Sequence, residues 1–353
     1  MNTTSKSSQM KHYAGALLIP LSIIGGCSSS NSDTENSESV IPDEIGSAAM
    51  GIDLAMFDDD ALVNSEIVDC ELSDGTMTQC YSLLTSGVEK TSDMIGPFCP
   101  ETTSTSAENA GLWLDGEALY EADGEFFLNL PNIYGQTYPS EAWAGFADAE
   151  GNINITRTLE DCEAAANPDV GLEYAGFCVQ CNLAELTADL ELEFLIPVTP
   201  EAAGAPNNLT VSAGISLNGF QIAAQAPVDA ILSAITVAPF DDCGGHVNPN
   251  DGYHYHAATA RDGCNSAGTD ANGHPDIMGY AMDGYGIYGP LAVGSEEADL
   301  LDDCNGIEDA TYGYHYHAGS PELNQHIACF TGKIVATDEG PGGPRGGNDR
   351  AGK

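Results

Sequence analysis

The hexapeptide GYHYHA stands at residues 252–257 and again at residues 313–318. In each copy a cysteine lies 11 residues before the first histidine, at Cys243 and at Cys304. A further cysteine follows each copy, and seven of the eight histidines of the chain fall between residues 246 and 326. This spacing predicts two diverged copies of one half-site, each with its own pair of cysteines.

Alternation within the hexapeptide predicts how its histidines are used. Successive side chains of a β-strand point to opposite faces, so His254 and His256 share a face and the tyrosines occupy the other. The Cβ atoms of the two histidines then lie about 7 Å apart, which lets both imidazoles converge on one ion. His315 and His317 repeat the arrangement. If the copies pair across a pseudo-two-fold axis, four imidazoles face one point and form a shared metal site.

Other side chains of the same region are candidate ligands. His246 and Asp283 are predicted to join the four histidines of the hexapeptides, and the further donors are His274, His326, Asp302 and Asp303. Imidazole-rich sites suit zinc, copper, iron or nickel and do not need thiolate, and we expect copper or zinc. The thiols are expected to be consumed in disulfides. The opposing interpretation treats the histidines as hydrogen-bonded structural residues on a buried strand.

Short alternating runs between turn residues indicate the fold class. Residues 190–194 alternate strictly, and residues 209–222 predict two short strands or one strand bent at Gly214. Residues 46–100 are expected to be helical or irregular, but long helical periodicity is scarce elsewhere. We predict a mainly β (β-rich α+β) fold that is stapled by disulfides and carries two diverged half-repeats in its C-terminal domain.

Changes in amino-acid composition along the chain predict five segments. They are a signal peptide at 1–27, a flexible Ser/Asp/Glu-rich tether at 28–60, a cysteine-containing β-rich module at 61–185, the domain with both hexapeptides at 186–336 and a disordered Gly-rich tail at 337–353.

The N-terminus predicts export and a lipid anchor. Lys6 and Lys11 precede a short apolar stretch at 13–24, as in a secretory signal. The sequence IGGC that ends at Cys27 resembles a bacterial lipobox, which implies that Cys27 receives lipid and becomes the mature N-terminus. Ser28 follows in place of an aspartate, which favours the outer membrane or cell surface over the inner membrane. The alternative is an ordinary signal peptide with a chance cysteine.

The cysteines beyond Cys27 are even in number, which in an exported chain predicts disulfides. They are Cys70, Cys80, Cys99, Cys162, Cys178, Cys181, Cys243, Cys264, Cys304 and Cys329. The last four are expected to pair among themselves around the histidine strands. Cys178 and Cys181 form a C-x-x-C motif, for which a zinc site or a redox pair is the alternative.

The charge of the chain excludes some partners. Lys and Arg number 9 against 54 Asp and Glu, which gives a formal net charge of −45. This balance excludes a protein held to nucleic acid by broad phosphate neutralisation, and it argues against adhesion to anionic lipid through a basic patch. The acids are dispersed along the chain, which favours a solubilising surface over capture of cations.

Three stretches resemble the YHYH-domain proteins, a family of exported proteins. They are CGGHVNPNDGYHYHA at 243–257, YAMDGYGIYGP at 280–290 and LDDCNGIEDATYGYHYHAGSPELNQHIACFTGKI at 301–334. The resemblance covers about residues 190–335, and residues 96–116 resemble an N-terminal part of longer members less specifically. It implies an exported protein with a Gly- and Pro-rich tail. It implies no particular chemistry, so the metal hypothesis depends on the histidine spacing.

The function expected from these features is metal binding or storage by a lipid-anchored protein of the cell envelope. If three ligands hold the ion, an open position permits a metal-dependent hydrolase or a copper oxidoreductase. The H-x-H pairs also resemble those of cupins, but the glutamate that follows them in that family is absent here, which disfavours a cupin-type dioxygenase. The rival hypothesis is a non-catalytic acidic surface module with structural histidines, whose partner is carbohydrate or protein.

Overall fold

The computed structural model describes residues 51–88, 98–139, 141–165, 167, 169, 171–183, 191–209, 212–249, 251–336 and 345–346. The signal peptide with Cys27, the first part of the tether and most of the Gly-rich tail lie outside these described residues. The predicted segment boundaries therefore stay predictions.

The secondary structure is dominated by short strands. They are β1 (Leu62–Glu71), β2 (Met77–Thr85), β3 (Leu112–Leu114), β4 (Leu119–Glu121), β5 (Ile155–Thr156), β6 (Phe177–Val179), β7 (Leu192–Pro197), β8 (Ala202–Asn208), β9 (Ser212–Ser216), β10 (Gln221–Ala223), β11 (Thr236–Val237), β12 (Gly245–Asn248), β13 (Gly252–Tyr255), β14 (Ile277–Ala281), β15 (Gly286–Tyr288), β16 (Gly306–Asp309), β17 (Gly313–His317), β18 (Cys329–Gly332) and β19 (Arg345–Gly346). Among the described residues, the α-helices are α1 (Gly124–Ile133), α2 (Leu159–Ala164) and α3 (Val228–Ser233). The predicted mainly β fold with few helices is confirmed.

Both hexapeptides lie in one eight-stranded sheet of order β12-β13-β10-β9-β14-β15-β17-β16. A pseudo-two-fold axis passes between β9 and β14, where Ile215 pairs with Tyr280, which lies 65 residues later in the chain. Strand β13 is antiparallel to β12 and parallel to β10, and β17 has the same relations to β16 and β15. The two predicted half-repeats are present, and each includes strands well upstream of its hexapeptide.

Two glycines let the halves approach each other at this axis. A Cβ atom on Gly214 would lie 2.2 Å from the carbonyl oxygen of Tyr280, and one on Gly279 would lie 2.3 Å from that of Ile215. Both positions therefore require glycine. Of the two forms predicted for residues 209–222, the structure has two strands, β9 and β10, joined by a turn in which Gly219 has a φ of 83°.

A hairpin in the first part of the chain corrects the expectation of helical or irregular structure there. Strands β1 and β2 pair antiparallel, with Glu71 opposite Met77, and β2 continues onto β7. The turn between them contains Asp74-Gly75, with Gly75 at a φ of 85°. The Gly75 N–H donates to the Leu72 carbonyl at 2.8 Å, and Gly75 takes the left-handed position that three-residue hairpin loops give to glycine. This dipeptide was therefore the local signal for the hairpin.

Five disulfides staple the fold. They are Cys70–Cys80, Cys99–Cys178, Cys162–Cys181, Cys243–Cys264 and Cys304–Cys329. The prediction that the last four cysteines pair among themselves is confirmed. Cys178 and Cys181 bond to different partners, so their C-x-x-C motif forms neither a redox pair nor a zinc site.

Two buried clusters support the large sheet. One gathers Phe194, Tyr316 and Phe330 beneath the central strands. The other contains Trp113 and Phe240, and the Phe240 ring stacks on His246 with 4.5 Å between ring centroids. Within the described residues, no helix has the length and apolar character needed to cross a membrane.

Candidate metal centres

The first tyrosine of each hexapeptide is anchored to a turn carboxylate. The Tyr253 hydroxyl donates to Asp241 Oδ2 at 2.6 Å, and the Tyr314 hydroxyl donates to Asp302 Oδ2 at 2.8 Å. The other oxygen of each carboxylate accepts two backbone N–H groups of the turn that begins the half-site. Asp302, which the sequence suggested as a further ligand, therefore belongs to a structural anchor.

The predicted metal ligand Asp283 also lies on the tyrosine side of the sheet, which corrects that prediction. Its buried carboxylate accepts the Tyr316 hydroxyl at 2.6 Å and the Gly332 N–H at 2.9 Å. Tyr316 points to the face opposite His315 and His317, because neighbours along a strand alternate. Burial raises the pKa of the Asp283 carboxyl to about 6.

Each histidine of the hexapeptides is held at Nδ1 by a backbone carbonyl. The distances are 3.0 Å from His254 to Gly252, 2.8 Å from His256 to Ala224, 2.9 Å from His315 to Gly313 and 3.0 Å from His317 to Gly289. A carbonyl oxygen accepts and cannot donate, so Nδ1 carries the proton in all four rings. Nε2 of each neutral ring then keeps its lone pair.

These Nε2 lone pairs face each other in both halves. The Nε2 atoms of His254 and His256 are 2.9 Å apart, and those of His315 and His317 are 3.2 Å apart. Two lone pairs at this distance repel unless a cation lies between them. Burial lowers the pKa of all four imidazoles, to about 4 at His317, so a bridging proton is disfavoured near neutral pH. A metal ion satisfies both nitrogens without charging a ring.

A third imidazole completes each group from a different element. In the first half, His246 of β12 lies opposite His254, with 4.9 Å between the ring centroids. Ile307 takes the equivalent place in the second half, opposite His315. There the third imidazole is His274, from the segment before β14, whose Nε2 lies 3.3 Å from that of His315.

The potential ligand atoms of each group all lie within 4.8 Å of one another. We call the group of His246, His254 and His256 site A, and the group of His274, Glu297, His315 and His317 site B. Sequence reasoning placed His246 with the hexapeptides and named His274 as a further donor, but it missed Glu297. No spacing marks this glutamate, because it reaches site B from the long connection between β15 and β16.

The prediction that both hexapeptides serve one ion is wrong. Strands β13 and β17 are separated by β10, β9, β14 and β15 in the sheet. Five steps between strands at about 4.8 Å each place them roughly 24 Å apart. The pseudo-two-fold axis therefore relates two separate sites, because it lies in the middle of the sheet and the histidine strands lie toward its edges.

His326 joins neither group. Its side chain is fully buried, and neither ring nitrogen has a hydrogen-bond partner among the residues that the structure describes. Burial lowers the pKa of this imidazole to about 3. The ring is therefore neutral at ordinary pH.

The comparisons with known proteins bear on the strands that carry these sites. A family model described as YHYH protein matches residues 193–299. This part of the chain is a YHYH domain. No curated protein and no solved structure matches the chain.

The matched range of the YHYH domain contains all of site A. It also contains His274 and Glu297 of site B, but it ends before the second hexapeptide at 313–318. The pseudo-two-fold sheet continues through that hexapeptide to β17 and β16. The structural unit therefore extends beyond the matched range.

Proposed function

We propose that the chain binds two transition-metal ions, one at site A within the YHYH domain and one at site B, whose His315 and His317 lie beyond the matched range. The observation that supports this most directly is the opposed pair of Nε2 atoms in each half, 2.9 Å and 3.2 Å apart. The Nδ1 protons are committed to backbone carbonyls, so neither ring can turn its Nε2 into a neutral donor without losing that bond.

The separations agree with the size of a bound ion. Nitrogens held about 2.0–2.1 Å from a tetrahedral ion lie about 3.3–3.4 Å from one another. At site B the Nε2 atom of His315 is 3.2 Å from that of His317 and 3.3 Å from that of His274. The 2.9 Å pair at site A needs to open by a few tenths of an ångström.

The donor set favours zinc or copper. Imidazole nitrogen suits both ions, and a carboxylate such as Glu297 is a common additional zinc ligand. Thiolate is excluded from the sites because the ten cysteines beyond Cys27 are all in disulfides. The oxidising compartment that these disulfides require is consistent with export.

Metal content per chain tests the proposal. Protein purified without a histidine tag and dialysed against zinc or copper should hold two ions, measured by mass spectrometry of the metals. His254→Ala/His256→Ala and His315→Ala/His317→Ala should each keep one ion, and the quadruple variant should keep none. His326→Leu is the matched control, because it removes a buried histidine that belongs to neither site, and it should keep both ions.

Circular dichroism separates lost ligands from lost folding. A folded wild-type protein that retains neither zinc nor copper would overturn the proposal and favour the rival function, a non-catalytic acidic module with structural histidines. Loss of both ions from either double variant would contradict two separate sites and would support one site that both hexapeptides share.

We also propose that the protein is anchored to the cell envelope, at the outer membrane or cell surface, through lipid on Cys27. The support is the signal-like segment 1–27, the resemblance of IGGC to a lipobox and the polar tether that follows. A formal net charge of −45 over the chain argues against attachment through a basic patch, so the lipid would be the anchor.

A further inference from the structure

Sites A and B differ in how many protein ligands surround the ion position. Site B offers three imidazoles and a carboxylate, and Glu297 Oε1 lies 3.9 Å from His274 Nε2. Site A offers three imidazoles within the described residues. Four protein ligands are typical of closed structural metal sites, whereas three leave a position for water or another molecule.

The residues around the two sites also leave site A more open than site B. At site B, the Tyr312 ring stacks on His274 with 4.2 Å between centroids and an angle of 19° between the planes. The equivalent residue of the first half, 61 positions earlier, is Asp251, which has no ring to lay over an imidazole. Site A borders a cavity of about 280 Å³, whose wall includes His246, His254 and His256. The cavity beside site B, which His315 and Tyr312 line, is smaller, at about 110 Å³.

Resting on the proposed function, we propose that the ion at site A keeps one coordination position open to this cavity and binds a small organic molecule there. The molecule has an apolar body and a coordinating nitrogen or oxygen at one end. Site B, by this proposal, is a closed site that stabilises the second half of the sheet.

The cavity wall determines this ligand class. Away from the histidines the wall is largely apolar, with Ala223, Ala226, Ile231, Val247 and the Cys162–Cys181 disulfide among its members. Asn248 and Asp251 form a polar end beside the histidines, where Asn248 Nδ2 lies 3.4 Å from His254 Nε2 and donates to Asp251 Oδ2 at 3.0 Å. A ligand with one polar end and an apolar body matches both regions. A cavity of this volume suits a molecule smaller than most drugs.

Cobalt(II) and two neutral imidazoles probe the open position. The full chain is loaded with cobalt, and its visible spectrum is followed during titration with 1-methylimidazole or 1-butylimidazole. One probe per chain should bind, and the butyl compound should bind at least tenfold more tightly, because each buried methylene contributes roughly fourfold in affinity. A cobalt-loaded wild type without a spectral response to either probe would overturn the open position.

Variants that fill the cavity or open site B show where the probe binds. Ala226→Leu and, independently, Ala223→Leu should keep two cobalt ions and lose the tenfold preference for the butyl compound. Glu297→Ala should open site B, so that the protein binds two probes per chain. An unchanged butyl preference in both cavity variants would overturn the assignment to this cavity. A chain that holds no cobalt, zinc or copper would overturn the proposed function itself, which is a distinct result.

Discussion

Asn218 and Asp283 occupy equivalent places in the two halves of the sheet, 65 residues apart, and bind equivalent tyrosines in opposite senses. The Asn218 amide donates to the Tyr255 hydroxyl at 2.9 Å, whereas the Tyr316 hydroxyl donates to the Asp283 carboxylate at 2.6 Å. The framework of tyrosines is therefore conserved between the halves although the chemical partner has changed from an amide to an acid. The two halves therefore share the packing of their tyrosine faces. They differ in the buried partner of the tyrosine, which is the neutral Asn218 in one half and the acid Asp283 in the other.

The buried acid predicts a pH-dependent stability that the amide does not share. Burial raises the pKa of Asp283 from 3.8 to about 6, so the folded state binds a proton that the unfolded state lacks between these values. Its contribution to stability is present at low pH and is lost as the pH rises through 6. Between about pH 4.5 and pH 7, the unfolding free energy of the metal-free wild type should fall by about 2 kcal/mol more than that of metal-free Asp283→Asn.

Urea unfolding at the two pH values measures this difference. Asn218→Asp is the reciprocal variant, and it should add a decline of the same sign in the first half. Identical pH profiles for wild type and Asp283→Asn would show that the carboxyl titrates normally.

The third imidazole of site A offers a direct comparison with site B. His246 lies opposite His254, and Ile307 lies opposite His315 in the same register. His246→Ile should therefore weaken one of the two zinc ions at least tenfold, since loss of a ligand should exceed the typical effect of losing an outer-shell partner. The second ion should be unaffected. Competition with a chelator of known affinity resolves the two ions, and equal weakening of both would contradict their independence.

Each half carries a disulfide of similar span, which predicts local effects on metal binding. Cys304 and Cys329 close a separation of 25 residues, and such a link contributes about 3–4 kcal/mol in the chain-entropy description. Cys304→Ser/Cys329→Ser should lower the unfolding free energy by roughly this amount and weaken the ion at site B more than the ion at site A. Cys243→Ser/Cys264→Ser is the matched variant, and it should weaken the ion at site A more than the ion at site B.

The anchor can be tested independently of the metal sites. Cells that express the wild-type protein should incorporate a clickable fatty acid into it and retain it in the membrane fraction. Cys27→Ser should lose the label and leave the membrane fraction, whereas Ser28→Ala, next to it, should keep both properties. Equal labelling of the wild type and Cys27→Ser would refute lipidation at this residue.

Strand alternation and repeated spacing made much of the site predictable. Alternation placed His254 with His256 and placed both tyrosines opposite, and the cysteine spacing gave two correct disulfides. Sequence could not give the distance between the halves, because that depends on β9, β10, β14 and β15 lying between the histidine strands. Glu297 and the partners of Asp283 also depend on long-range packing, which local periodicity does not encode.

His326 is the last group whose chemistry departs from its surroundings. Its imidazole is fully buried, neither ring nitrogen has a hydrogen-bond partner in the described part of the chain, and its pKa is lowered from 6.5 to about 3. The unfolded chain takes up a proton below about pH 6.5, and the folded protein does not until about pH 3, so this group lowers stability as the pH falls through that window. His326→Leu should be neutral or stabilising at pH 7, because a buried polar ring without partners is replaced by an apolar group. Between about pH 7 and pH 5 the variant should lose about 2 kcal/mol less unfolding free energy than the wild type.

Urea unfolding of metal-free protein provides the measurement, and Gln325→Leu, an adjacent change without a titrating group, should keep the wild-type dependence of unfolding free energy on pH. A His326→Leu protein with the wild-type slope would show that this imidazole titrates equally in both states and is not isolated in the core.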